Sequence, residues 1–195
     1  MMLVYDNEGV RYAEPKLKIT GIEAIKSSTP APCRQAMKDL FKIILNEDEN
    51  TTQKFIKSFQ TQFNSLPAED IAFPRSVSSV KNYHDNKLIY KKGTPINSRA
   101  ALLYNHYLHK YDLLDKYQEL NDGDRMKYIY LKPRNPIGED VIGFSDVLPK
   151  EFDLHKYIDL DKQFEKTFLD PIVLVLDAIG WKAVEEATLD DFFGV

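Results

Sequence analysis

The sequence predicts an α+β fold, predominantly helical, with a small antiparallel β element at the N-terminus. Three observations carry that expectation. Apolar residues alternate with polar ones over residues 3–20 around a tight turn, the period of a half-buried strand. Over residues 33–44, 55–66 and 102–114 they recur every three or four positions, the period of an amphipathic helix. Between these windows lie short stretches broken by Pro, Gly, Asn and Asp, which read as turns and short strands.

Leu3-Val4-Tyr5, the turn Asp6-Asn7-Glu8-Gly9 and Val10-Arg11-Tyr12-Ala13 predict a hairpin. Leu17 and Ile19, alternating with Lys16, Lys18 and Thr20, predict a third strand. Two or three strands make a poor sheet alone, so further sheet neighbours are expected from elsewhere. Ser27-Ser28-Thr29-Pro30 supplies N-cap chemistry for a helix carrying Cys33, Met37, Leu40, Phe41 and Ile44, with Pro tolerated in the first turn. After an acidic break at 46–50, Thr51-Thr52 can cap a second helix with Phe55, Ile56, Phe59, Phe63 and Leu66, and the two should pair as a helical hairpin. Residues 67–94 loosen into turns and short strands. A third helix is expected from about 98 to 117, carrying Leu102, Leu103, Tyr107, Leu108, Tyr111 and Leu114. Asn121-Asp122-Gly123-Asp124 is a turn, residues 126–131 a strand, and Asn135-Pro136-Ile137-Gly138 a turn toward Val141-Ile142-Gly143-Phe144. Leu154, Ile158, Phe164, Phe168, Ile172, Val175, Leu176 and Ile179 predict one broken or two consecutive helices ending near Gly180, with a polar tail beyond.

With 195 residues, 43% hydrophobic and 29% charged, the chain can bury a core as one domain, or one plus a small appendage. A lone cysteine, Cys33, excludes an internal disulfide. No charged leader precedes the first folded-looking segment, and the run Ile172-Val173-Leu174-Val175-Leu176 is too short to cross a bilayer; a cytoplasmic protein is expected. The net charge of -4 hides a segregation. Five basic residues stand against Glu23 alone between Lys16 and Lys38, and six against Asp85 between Arg75 and Arg99. Acids gather at 47–49, at Asp159, Asp161 and Glu165, and in the tail. Local charge, not the total, governs phosphate binding.

Catalytic chemistry finds little material. Asp122-x-Asp124 lacks the remaining spacing of a calcium loop and reads as a turn; Asp159-x-Asp161 with Glu165 and His155 falls at a helix start, where carboxylates cap. A metal-dependent hydrolase using Asp159, Asp161 and Glu165 is a third-ranked reading. His84, His106, His109 and His155 give no metalloprotease-like pair, Cys33 lies on an apolar helix face, and the eight glycines form no phosphate-cradling loop. No catalytic residue and no metal ligand is therefore assigned on this chain.

Duplex binding fares better. Arg75-Ser76-Val77-Ser78-Ser79-Val80-Lys81-Asn82-Tyr83 interleaves hydroxyls, an amide, two cations and an aromatic; such groups donate to phosphate oxygens and displace counterions without reading sequence. Lys26-Ser27-Ser28-Thr29 repeats the theme at a helix start. The tail Thr188-Leu189-Asp190-Asp191-Phe192-Phe193-Gly194-Val195 pairs acids with aromatics. It reads equally as a plug for a partner's apolar pocket and as a terminus folded back on its own core.

The run from Val4 to Glu23, continued by Lys26-Ser27-Ser28-Thr29-Pro30, resembles the palm-to-thumb passage of family B DNA polymerases of T-even-type bacteriophages. Ser76-Val77-Ser78-Ser79 with Lys81 and Tyr83, Pro95-Ile96 with Arg99 and Tyr104-Asn105, Asn135-Pro136-Ile137-Gly138, Phe164-Glu165-Lys166-Thr167-Phe168 with Pro171, and Leu189-Asp190-Asp191-Phe192-Phe193 are similar to that family in the same order. The resemblance implies the C-terminal portion of a replicative DNA-directed DNA polymerase. Residues 1–28 would be terminal palm strands, 29–183 the thumb, and 184–195 a clamp-binding tail. The upstream palm motifs with their metal-binding aspartates, the nucleotide-binding helix and the exonuclease are missing. The lysine-and-tyrosine primer-contact motif expected before Val4 is replaced by Met1-Met2-Leu3. A split gene or a fragment is implied, with catalysis and its Mg2+ on a separate N-terminal polymerase subunit. On this reading Lys16, Lys18, Lys26, Ser27 and Ser28 border the primer strand. Arg75, Ser76, Ser78, Ser79, Lys81, Asn82, Tyr83, Lys91, Lys92 and Arg99 grip duplex phosphates of the primer-template. Leu189, Phe192 and Phe193 dock the sliding clamp. The alternative is a clamp-binding replication module without DNA grip.

Overall fold

In a computed structural model of the chain, residues 2–20, 24 and 26–184 are described, the side chains of residues 2, 3 and 14–17 excepted. The fold is α+β and mostly helical, as the sequence predicts. Strands β1 (Met2–Tyr5) and β2 (Arg11–Leu17) form a two-stranded antiparallel hairpin. Asp6 closes its turn, Oδ1 accepting from the amides of Glu8 and Val10 at 2.9 and 2.8 Å. The expected third strand does not form. β2 runs through Pro15 and pairs Lys16 with Leu3 and Leu17 with Met2, while residues 18–20 lie outside any strand. The pairing is irregular between Leu3 and Tyr5, which accommodates a proline with no amide to donate.

Helix α1 (Ala31–Asn46) starts behind Pro30 and carries a proline in its first turn, where amides have no helical acceptor. Cys33, Ala36, Met37, Leu40 and Phe41 form its buried stripe. Helix α2 (Glu49–Phe63) is capped by Asp48, whose carboxylate accepts from the Thr51 amide at 2.8 Å. The cap therefore lies one turn ahead of the expected Thr51-Thr52: the acidic break itself supplies the better acceptor, and its charge favours a helix N-terminus. The two helices pack against each other as the expected hairpin.

Residues 67–94 fold into four small elements and the turns between them: α3 (Ala68–Ile71), β3 (Phe73–Ser76), α4 (Val80–Tyr83) and the hairpin β4 (His84–Asp85) with β5 (Ile89–Tyr90). Helix α5 (Ile96–Lys110) ends seven residues before the expected boundary. Asp112 adopts φ 54°, and the Leu113 amide bonds back to the Leu108 carbonyl, so the backbone turns away and leaves Leu114 43% exposed. Strand β6 (Arg125–Tyr130) is the centre of a three-stranded antiparallel sheet ordered β3-β6-β7, with β7 (Val141–Phe144) on its other side.

Beyond β7 the described chain continues through short turns into one interrupted helix, residues 160–178. Two 3-10 turns, Lys150–Phe152 and His155–Tyr157, hold Leu154 and Ile158, whose spacing predicts regular helix. Helix α6 (Leu160–Phe164), a π-helical turn Glu165–Leu169 and helix α7 (Asp170–Ala178) then run on without a gap. The wide turn sits just ahead of Pro171, whose ring and missing amide disfavour a regular ladder there. Ile179 follows the helix, 46% exposed.

The core sits where these layers meet. Phe59 and Phe63 from α2 meet Phe164 and Phe168, with ring centroids 4.7–6.1 Å apart. Buried Gln163 binds three layers together: Nε2 donates to the Ile71 carbonyl at 2.7 Å, Oε1 accepts from the Tyr130 amide at 3.1 Å, and its carbonyl accepts from Thr167. A buried amide satisfied on both sides rigidifies what it joins. On the sheet's other end α5 lies directly on β7, and Gly143 makes this possible. A Cβ there would fall 2.7 Å from the Ala100 carbonyl oxygen.

Candidate nucleic-acid interface

Members of both expected sets, Ser27 and Ser28 from one and Arg75 and Ser76 from the other, meet in one cleft built by three backbone elements. The loop before α1 supplies Ser27 and Ser28, β3 supplies Arg75 and Ser76, and β6 supplies Arg125 and Lys127; with Ser145 and Asp146 they line a cleft of about 580 Å³. Arg75 is its pivot. Its Nη1 donates to the Ser28 carbonyl at 2.6 Å and to its own neighbour's, Pro74, at 2.9 Å, while the guanidinium lies 5.1 Å over the Phe73 ring. The residue is half-buried, so it positions the wall of the cleft as well as charging it. Lys127 donates to the Glu69 carbonyl at 2.9 Å. Arg125 is exposed and makes no ion pair among the described residues. Four hydroxyls and three cations thus face one carboxylate, Asp146.

Arg125 and Lys127 were not among the residues expected from sequence. Their signal was present: in Arg125-Met126-Lys127-Tyr128 the cations occupy one strand face and the buried Met126 and Tyr128 the other, the period of two that a strand imposes. What sequence did not supply is the antiparallel register, which sets Arg75 opposite Met126 and Ser76 opposite Arg125.

The second predicted cluster continues directly from Ser76. Val77 is buried, its amide donating to the Asp124 carbonyl at 2.8 Å and its carbonyl accepting from Gly123 at 3.0 Å. The Ser78 carbonyl accepts from Ser98 Oγ at 2.7 Å. Ser79 takes φ 59°, and the next amide, of Val80, donates to Asp122 Oδ1 at 2.8 Å. These bonds hold the loop against the 121–124 turn and the start of α5, leaving Ser78, Lys81 and Asn82 exposed and Tyr83 half-buried. Lys91 and Lys92 are exposed on the turn after β5; Lys91 Nζ donates to the Asn82 carbonyl at 2.7 Å. Arg99 pairs with Asp140 at 2.6 Å and lies 5.9 Å from the Tyr90 ring, so it joins α5 to the loop before β7. Tyr90 in turn donates to Glu139, and burial with that carboxylate raises its pKa.

Lys18 and Lys26 are exposed. The Lys16 side chain lies outside the described residues, as do Leu189, Phe192 and Phe193. Of the carboxylates weighed as metal ligands, Asp159 caps α6 through the Lys162 amide and Asp124 accepts from the Asn121 amide, while Glu165 pairs with the Lys166 ammonium. His84, His106 and His109 do come together with Glu119 around a cleft of about 360 Å³, His109 Nε2 lying 2.6 Å from Glu119 Oε1. Among the described residues no three His, Cys, Asp or Glu side chains are placed to hold a metal ion. No described helix is long and apolar enough to cross a membrane.

No family model matches the chain. It is 31% identical to the DNA-directed DNA polymerase of Enterobacteria phage T4 over 195 residues, which is 98% of this chain and 21% of that protein. It is 32% identical to the DNA-directed DNA polymerase of Escherichia phage RB69 over 196 residues, 97% of this chain and 21% of that protein. The chain spans about a fifth of the length of these curated relatives. Along nearly its whole length, the chain is similar to DNA-directed DNA polymerases of T-even-type bacteriophages, as a C-terminal portion of such a polymerase would be.

Proposed function

We propose that this chain is the thumb portion of a replicative DNA polymerase, gripping the primer-template duplex on behalf of a palm, fingers and exonuclease carried by a separate N-terminal subunit. The observation that carries the reading is the cleft where Ser27, Ser28, Arg75, Ser76, Arg125 and Lys127 converge from three elements. Hydroxyls and cations without base-reading geometry suit sugar-phosphate backbone, and a grip of this kind positions a duplex and lowers its off-rate. The exposed Lys81, Asn82, Lys91 and Lys92 extend the cationic surface beyond the cleft. Phosphoryl transfer and its Mg2+ belong to the companion subunit.

The N-terminal hairpin supports a companion. β1 and β2 pair only with each other among the described residues, and Val4, Tyr5 and Val10 are 37%, 57% and 60% exposed. Two strands are marginal alone, so the hairpin's free edges fit strands supplied by a palm. Residues 189–193 are assigned to the sliding clamp on the resemblance of that acidic-aromatic peptide.

Titrating the full chain with a fluorescent primer-template duplex over a range of salt tests the grip. Binding should weaken linearly on a log-log plot, with a slope of about -0.9 per phosphate contacted. A flat salt response, or no binding at low salt, would overturn it. Binding to the clamp alone would then favour the adaptor reading.

A further inference from the structure

The turn that carries Lys91 and Lys92 is anchored from behind, next to a strained residue. Strands β4 and β5 have two residues each and pair only with each other among the described residues, too little ladder to hold a hairpin alone. Within β5, Ile89 takes φ 68°. A β-branched residue rarely enters that left-handed region, and such a backbone persists only where its surroundings over-determine it. The next residue supplies the constraint. The Tyr90 hydroxyl lies 2.7 and 2.9 Å from the two carboxylate oxygens of Glu139, and its ring lies 5.9 Å from the guanidinium of Arg99, which pairs with Asp140 at 2.6 Å. The loop that presents Glu139 is itself held: buried Asn135 donates to the Glu139 carbonyl at 2.6 Å and to the Lys132 carbonyl at 2.8 Å, and the Asp140 carbonyl accepts from the Leu131 amide at 2.9 Å. On the other side of Tyr90, the Lys91 amide donates to the Tyr83 carbonyl at 2.9 Å, and Thr94 Oγ1 closes the turn on the Lys91 carbonyl at 2.6 Å.

We infer that Tyr90 and Glu139 form a latch, and that Tyr90 is through it a positioning residue that aims the Lys91-Lys92 turn and the adjoining 81–83 loop at duplex phosphates. The positioning role rests on the duplex grip proposed above; the latch does not. The parts divide by exposure. Lys81, Asn82, Lys91 and Lys92 are exposed and are the groups that meet phosphate, whereas Tyr90, Glu139 and Arg99 are half-buried behind them. Arg99 Nη2 is taken by Asp140, and its buried Nε has no hydrogen-bond partner among the described residues, so this cation acts by packing on Tyr90 and not by reaching the duplex. Ordering long side chains on a free turn opposes binding, and a turn fixed beforehand avoids that cost. Without the hydroxyl bond Ile89 is released from its left-handed backbone, and the lysines that follow it lose their fixed direction.

Tyr90→Phe removes one hydroxyl and no charge. Amide hydrogen exchange of the full chain should show residues 84–92 opening about tenfold faster in this variant than in the parent, the scale of a hydrogen bond to a carboxylate, while α1 and α2 exchange as before. Glu139→Gln, which keeps an acceptor for the hydroxyl, should retain most of the protection, and Glu139→Ala should match Tyr90→Phe. Titration with the fluorescent primer-template duplex should give binding about threefold to tenfold weaker for Tyr90→Phe, with a salt slope smaller in magnitude by about one to two, since each phosphate contact contributes about 0.9. Adding Lys91→Ala and Lys92→Ala to Tyr90→Phe should weaken binding little further, because the hydroxyl acts through those two lysines. Unchanged exchange in Tyr90→Phe overturns the latch whether or not the chain binds DNA. Faster exchange with unchanged duplex affinity overturns the positioning role, and absence of duplex binding by the parent overturns the grip and that role together while the exchange data still decide the latch.

Discussion

The guanidinium of Arg75 reaches the Ser28 carbonyl at 2.6 Å, tying β3 to the loop that leads into α1. One side chain therefore sets the width of the cleft and contributes part of its charge. Arg125, opposite Ser76 in the neighbouring strand, contributes charge alone.

The two arginines should separate by experiment. Arg125→Ala should leave stability within about 0.5 kcal/mol while reducing the magnitude of the duplex salt slope by about one. Arg75→Ala should weaken duplex binding and also cost about 1.5–3 kcal/mol, the range for a hydrogen bond from a charged donor. Urea unfolding beside fluorescence anisotropy reads both. Equal stability losses in the two variants would show that Arg75 has no positioning role.

Gly143→Ala should be among the more damaging single-methyl additions in the chain. The new Cβ would meet the Ala100 backbone 2.7 Å away, and neither α5 nor the central sheet can give way cheaply. A loss of about 1–3 kcal/mol or more is expected, measurable as a lowered unfolding midpoint. A neutral outcome would mean that α5 slides on β7.

The Glu151 carboxyl is held down to about 2 from its ordinary 4.5, first by the hydrogen bond from Lys116 and further by its own backbone amide and the Tyr117 hydroxyl. A depressed carboxylate stabilises the fold above its unfolded value, and that contribution is lost as pH falls through the folded one. Glu151 should therefore loosen the 113–117 segment from the 150–152 turn between about pH 4.5 and 2. NMR titration of the Glu151 side chain should give a midpoint near 2, and Glu151→Gln should flatten acid sensitivity over that window. A midpoint near 4.5 would remove the contact.

Cys33 is fully buried in α1, and burial pushes its thiol up to about 11, against the smaller opposing effect of a hydrogen bond with Thr167. Thiolate is the reactive form, so the native chain should be inert to a disulfide reagent at pH 8 and release one equivalent on unfolding. Rapid native labelling would place the α1 face against solvent.

The helical and strand periods of this sequence, and the turn residues between them, were enough to indicate the α+β class, the α1–α2 hairpin, β6 and the basic loop before α5. Each of these rests on interactions within a few residues, where period and capping chemistry act. The tertiary structure alone decided three other matters. It ended α5 at Lys110, because the left-handed Asp112 diverts the chain despite further apolar residues at helical spacing. It extended β2 through Lys16 and Leu17, because their partners lie across the hairpin and not along the sequence. It brought Ser28, Arg75 and Arg125 to one cleft and spent Arg99 on Asp140. Those outcomes depend on register and on contacts between residues tens of positions apart, and a local pattern carries no information about which distant carbonyl or carboxylate a cation will find.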